Sequence, residues 1–159
     1  MSPEAASKLS ASLEDYLEAI LHVAAGTDGA RSKDVAQTLG VARSSVTGAL
    51  QLLREKGLAN YEPYGRVTLT RQGRTVAQEV ARKHAVLRSF FMEVLGVESE
   101  TAQRAACRAE HALGQEIIGR LVSFMDYVAA SGRSGHDVAR EFRQFRQKQG
   151  ARLLPGEAR

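Results

Sequence analysis

The 159-residue chain carries one cysteine, Cys107, which excludes an intrachain disulfide and fits a reducing compartment. Its longest apolar stretches fall far short of the ~20 residues that a bilayer-spanning helix needs. The polar opening from Met1 to Ser12 also lacks the apolar centre of a secretory signal. The expected location is therefore the cytoplasm. Internal repeats and low-complexity blocks are absent as well. An apolar content of 43% with 25% charged residues is ordinary for a globular protein and argues against disordered or fibrous classes. A chain of this length can bury a real core, as one ordinary domain or two small ones.

The formal net charge is only +4, but its placement is uneven. Between Arg31 and Arg74 stand Arg31, Lys33, Arg43, Arg54, Lys56, Arg66, Arg71 and Arg74, opposed only by Asp34, Glu55 and Glu62. A basic segment of this kind suits an anionic partner, although charge alone is equally compatible with a solvated surface.

Apolar spacing organises the chain. Leu13, Leu17, Ile20, Leu21 and Ala24 recur at three- and four-residue intervals and predict a helix from Ser12 to Ala25, with Ser12 as its N-cap. Ser32 is expected to cap a second helix that reaches Leu39 and stops at Gly40. A third helix fits Arg43 to Lys56, with Val46, Leu50 and Leu53 inward and Gly57 at its end. Two short helices around a tight turn, the second rich in small polar and basic residues, form the pattern of a helix-turn-helix. Leu58 to Tyr61 and Arg66 to Thr70 then read as strands joined by the turn Glu62-Pro63-Tyr64-Gly65, which makes the module a winged helix.

Beyond it, Val76, Val80, Leu87, Phe91 and Val94 predict a long helix from Arg71 to about Leu95, broken by Gly96. Amphipathic helices follow at Glu98 to His111 and Gly114 to Val128, then a loop Ser131 to Gly135 and a mostly polar helix from His136 to Gln149. The tail from Gly150 to Arg159 has little to bury and is expected to be disordered.

A helix in the major groove brings short hydroxyl side chains within reach of bases or phosphates. Arg43, Ser44, Ser45 and Thr47 open the third helix and are the expected DNA-reading residues, with Ser32, Lys56, Arg66 and Arg71 around them on phosphates. Gly48 is unusual there, because glycine inside a helix costs about 1 kcal/mol relative to alanine. Close approach to DNA or to another helix would explain it.

Cys107, Glu110 and His111 share one helical face by their three- and four-residue spacing, presenting a thiolate, a carboxylate and an imidazole. Asp15 and Glu18 form an acidic pair on the first helix, and His84 lies midway along the long one. Each feature also has a plain structural explanation: a packed cysteine, a solvated pair, or an acidic helix start. Spacing does not show that these groups meet.

The runs SLEDYLEAIL (Ser12 to Leu21), Val41 to Leu58, LTRQGRTVAQEVARKH (Leu69 to His84) and CRAEH (Cys107 to His111) together resemble the diphtheria toxin repressor and manganese transport regulator family. The resemblance runs in register over about residues 10 to 128. It implies a mainly α protein, a winged helix-turn-helix with a small β-hairpin wing followed by an all-helical dimerisation domain. It also implies a homodimeric, metal-dependent transcriptional repressor that binds double-stranded operator DNA and is not an enzyme. The cofactor it implies is a divalent transition metal, Fe(II) or Mn(II), and by position Asp15, Glu18, His84, Cys107, Glu110 and His111 all fall on the family's ligand positions.

This chain resembles both branches of the family. Its acidic pair is similar to the manganese branch, whereas Cys107 stands where the iron branch has cysteine and the manganese branch glutamate. A soft thiolate disfavours Mn(II), while the carboxylates suit Mn(II) and Fe(II), so Fe(II) satisfies both. Arg88 and Gln103 replace an acidic residue and a histidine of the iron branch's ancillary site, which argues against that site here. A two-metal cluster of the manganese type stays open.

The expected organisation is a winged helix-turn-helix over 1–73, a bridging helix over 74–95, a helical metal-binding and dimerisation domain over 96–149, and a tail over 150–159. Two rival readings use the same residues. One is a metal-independent winged-helix regulator that senses redox state through Cys107, and the other a metalloenzyme with catalytic zinc.

Overall fold

A computed structural model describes residues 9–134 and 137–149. The expected tail and the expected helix start at His136 lie outside the described residues. The chain forms two compact units, and the boundary between them falls between Arg82 and Lys83, inside a single helix.

The first unit begins with α1 (Ala11–Val23), capped by Ser10, whose hydroxyl accepts the Leu13 N–H at 3.3 Å. Ser12 is thus a residue of the first turn and not the expected cap. The helix also stops two residues early, because Ala24 closes it and Gly26 takes a positive φ of 74°. α2 (Ser32–Leu39) starts at the expected residue, but Ser32 does not cap it. The boundary residue is Arg31, in an extended conformation, because its neighbour Ala30 is fixed by a two-bond bridge to Val67. α3 (Arg43–Glu55) ends in a Schellman motif, with Gly57 at φ 69°, Gly57 N–H donating to Arg54 O and Leu58 N–H to Leu53 O, each at 2.9 Å.

β1 (Ala59–Asn60) and β2 (Thr68–Leu69) pair antiparallel in the register Ala59 to Leu69 and Asn60 to Thr68. Both strands are shorter than their sequence pattern suggests. Val67 spends its backbone bonds on Ala30 instead, so the wing is tied to the loop before α2. This crossing needs Gly29, where a Cβ would lie 2.8 Å from the Val67 carbonyl oxygen. Leu17, Ile20, Val35, Val46, Leu50, Leu53 and Val67 are completely buried and form the core of this unit. Each such side chain contributes roughly 1.5–3 kcal/mol by burial.

α4 (Arg71–Ser89) gives its first turns to this core through Ala77 and its last turns to the second unit through Leu87. The expected helix to Leu95 is not α-helical throughout. Phe90–Val94 is a π-helical turn, closed by Leu95 N–H to Phe90 O at 3.2 Å, and Gly96 at φ 70° then turns the chain.

In the second unit, α5 (Ser99–Ala109) is capped by Glu98, whose carboxylate accepts from Glu100 and Thr101 N–H groups. Those backbone bonds hold the Glu98 carboxyl below its ordinary range. α6 (Gln115–Arg133) runs on into the expected loop as far as Arg133, with Ser131 Oγ donating back to Tyr127 O at 2.9 Å, while Gly135 lies outside the described residues. Small polar side chains read as turn residues in sequence here satisfy carbonyls of the helix itself. α7 (Val138–Gln149) packs on α6 and on the π-helical turn, and Leu87, Ala106 and Ile118 form the buried cluster.

Candidate metal centre and DNA-reading surface

α3 presents Arg43, Ser44, Ser45 and Thr47 to solvent on its first turn and a half, while Val46, Ala49 and Leu50 face the core. The polar face of α3 is therefore open to solvent. Thr47 Oγ1 donates to its own helix at Arg43 O, 3.1 Å away. Gly48 has open space where a Cβ would stand, so packing within the chain does not require a glycine there. Lys56 and Arg71 are exposed, and Ser32 is half-buried.

Arg66 is held in place. Its guanidinium Nη1 lies 3.1 Å from Asp28 Oδ1 and donates to Gly29 O at 3.0 Å, bracing the wing against the loop before α2. Sequence reasoning counted it only as a phosphate ligand and missed this role. It also treated Tyr64 as a plain turn residue, yet the ring is fully exposed at 106% of its reference area.

Three of the sequence-derived metal ligands converge within the second unit. Glu110 follows the last residue of α5 in a right-handed helical conformation, with its N–H bonded to Ala106 O at 3.0 Å. The α5 geometry thus runs on past Ala109 and keeps Cys107, Glu110 and His111 close along the chain. Glu110 is buried at 1% exposure, and its Oε2 lies 2.6 Å from His84 Nδ1 of α4. Its other oxygen, Oε1, is 3.3 Å from His111 Nε2, near enough for charge attraction but without a hydrogen-bond partner. Cys107 is exposed one turn earlier. Asp15 and Glu18 belong to the first unit and lie three apart on α1, both half-buried. Arg88, at the doubtful ancillary position, donates to Ser99 Oγ at 3.1 Å.

A divalent cation fits this donor set. A buried carboxylate with an unsatisfied oxygen is costly on its own. Flanking it with two imidazoles, and with a thiol one turn away, supplies the nitrogen, oxygen and sulfur donors that first-row metals take.

Residues 8–67 match the family described as the iron dependent repressor N-terminal DNA binding domain, and residues 70–136 match the iron dependent repressor metal binding and dimerisation domain. An uncharacterised HTH-type transcriptional regulator of Methanocaldococcus jannaschii is 39% identical over 119 residues, which cover 74% of this chain and 95% of that one. The transcriptional regulator MntR of Salmonella typhimurium is 34% identical over 112 residues, covering 70% and 71% of the two chains. Among solved structures, a manganese-dependent transcriptional repressor in complex with manganese superposes with a TM-score of 0.67 at 28% identity over 72% of this chain. That alignment spans 53% of the solved chain, so the present protein matches about half of its length. No helix among the described residues is long and apolar enough to cross a membrane. The chain belongs to the diphtheria toxin repressor and manganese transport regulator family, as a metal-dependent, DNA-binding transcriptional repressor with a divalent metal cofactor and a dimerisation domain.

Proposed function

We propose that the metal this repressor answers to is Fe(II), with Mn(II) next, and that it controls metal-homeostasis genes in the cytoplasm. The observation that carries the reading is the buried Glu110 carboxylate between His84 and His111, with the thiol of Cys107 one turn away. Imidazole and carboxylate accept either metal, whereas a thiolate in place of a carboxylate lowers the relative fitness of Mn(II).

In this reading Asp15 and Glu18 on α1 complete the ligand set, as the family resemblance implies. When bound, the cation supplies concentrated positive charge and a fixed set of ligand directions. Glu110 and its two histidines orient the donors of the second unit. Asp15 and Glu18 contribute from the winged helix, so the DNA-binding segment 1–73 and the helical segment 96–149 become coupled through the bridge 74–95. Arg43, Ser44, Ser45 and Thr47 then read bases, and Ser32, Lys56 and Arg71 meet phosphates, while Arg66, engaged by Asp28 and Gly29, braces the wing. By linkage, operator DNA must raise metal affinity by the same factor as metal raises DNA affinity, typically about 1–3 kcal/mol.

The test is anaerobic titration with Fe(II), Mn(II), Co(II) and Zn(II) while affinity for the protein's own promoter DNA is followed at fixed salt. Fe(II) is expected to activate at the lowest concentration, and Cys107→Ala to shift the preference toward Mn(II). DNA binding that ignores both metal and chelator, yet responds to peroxide through the exposed Cys107, would replace this reading with thiol sensing.

A further inference from the structure

Tyr64 is the only non-glycine residue with a positive φ, 65°, among the described residues, and its side chain is completely exposed. The left-handed conformation costs a residue with a Cβ roughly 1–2 kcal/mol. The turn itself gives no reason for that expense. Pro63 presets the preceding φ, Gly65 N–H closes the turn onto Glu62 O at 3.0 Å, and glycine or asparagine would serve at position 64 without strain. A lone exposed aromatic is ordinary on a surface. One held at the apex of a DNA-binding hairpin, on backbone that disfavours it, is not explained by anything inside the chain.

We infer that Tyr64 is a reading residue of the wing, its ring entering the minor groove next to the major groove that receives α3. The hairpin follows α3 directly and is anchored on its end, Arg54 Nη1 donating to Tyr61 O at 3.4 Å and Thr70 Oγ1 to Gly57 O at 2.8 Å. Strand pairing ends at Asn60 and Thr68, four residues before the apex. Glu62 to Gly65 fold back as a tight turn, so only Tyr61 and Glu62 add extended length, and the apex stands roughly 7–10 Å beyond the paired strands. That is most of the ~12 Å width of the major groove, which brings the apex to the sugar-phosphate ridge beside it.

The chemistry of the tip selects the groove over the phosphates. Glu62 is exposed and acidic, and the neighbouring cation Arg66 is occupied by Asp28 and Gly29. What the apex offers is a flat, neutral ring with one hydroxyl. Such a ring can lie against sugar edges in a groove ~6 Å wide, and its hydroxyl can donate to the adenine N3 and thymine O2 acceptors found there.

The inference rests on α3 being the recognition helix, and the test separates the two. The full chain, loaded with metal, selects its best duplex from a random library, and that duplex is the probe. Tyr64→Gly, which suits the backbone, is expected to keep full thermal stability and to lose about 5- to 10-fold in affinity, the loss expected from one net hydrogen bond to a base edge. Hydroxyl-radical protection should disappear at the outer minor groove. Tyr64→Phe should fall between the two. Diaminopurine in place of adenine at those outer positions adds a minor-groove amino group, and should weaken the wild type several-fold but leave Tyr64→Gly unchanged. Affinity within two-fold of wild type for Tyr64→Gly, while Arg43→Ala loses specific binding, would overturn the role of Tyr64 and leave α3 as the reader.

Discussion

Glu110 is the one buried charged side chain among the described residues. Without a cation its burial opposes folding, and with one it favours folding, so a single substitution can separate these effects. Glu110→Gln keeps the shape and removes the charge. The apo protein should melt no lower than wild type, whereas the rise in melting temperature on adding Fe(II) or Mn(II) should vanish. A ligand at 100 times its dissociation constant stabilises the folded state by about 2.7 kcal/mol, so the lost increment is easily read by calorimetry. A metal-induced rise equal to that of wild type would remove Glu110 from the centre. At this scale the sequence was informative where chemistry is local: Cys107, Glu110 and His111 are spaced along one turn and a fraction. Spacing alone could not join His84 to Glu110, 26 residues away, and only the family resemblance named it, because that 2.6 Å contact depends on how α4 and α5 pack. Tyr64 was missed for another reason, since an aromatic in a proline-glycine turn looks like any turn residue until its φ and exposure are known.

Among the elements, the entry into α4 is the joint that most depends on one residue. Thr70 Oγ1 accepts the Gly73 N–H at 3.1 Å, as an N-cap does, and donates to Gly57 O at 2.8 Å. The helix can sit this close because Gly73 has no side chain: a Cβ there would lie 1.8 Å from the Leu58 carbonyl oxygen. Gly73→Ala should therefore destabilise the first unit by about 1–3 kcal/mol or more, although alanine is the better helix former. Gly48→Ala should do the opposite, stabilising α3 by up to about 1 kcal/mol, because nothing occupies the space around it. Denaturant unfolding of both variants checks the contrast, and equal signs would mean that propensity outweighs the clash. Helical periodicity located every helix of the described residues but misplaced several ends. Ser131 and Gly132 looked like loop residues, yet α6 continues through them because its apolar face and serine back-bonds outweigh their weak propensity. The change from α to π at Phe90 left no periodic signal at all.

For the molecule as a whole, the dimerisation domain explains what the isolated second unit does with its surface. Ile118 of α6 is buried, but Ile117, Phe124 and Tyr127 on the same helix are exposed at 49%, 42% and 61%. Large apolar side chains repeated along one helix are what a two-fold partner would cover, and they agree with the dimerisation role of residues 70–136. Ile117→Asp combined with Tyr127→Asp should yield monomers by analytical ultracentrifugation, with the winged helix still folded, since neither residue supports the core. Two recognition helices carried by one dimer bind a second half-site at the local concentration set by the tether. Losing the dimer should cost about 10²- to 10⁴-fold in operator affinity while leaving single half-site binding intact. The same geometry fixes the operator: inserting ten base pairs between half-sites keeps them on one face of the duplex, whereas inserting five places them on opposite faces. The five-pair insertion should therefore be the more damaging for the wild type, and the monomeric variant should not distinguish the two. Equal losses for the wild-type protein would mean that the two helices do not read DNA as a rigid pair.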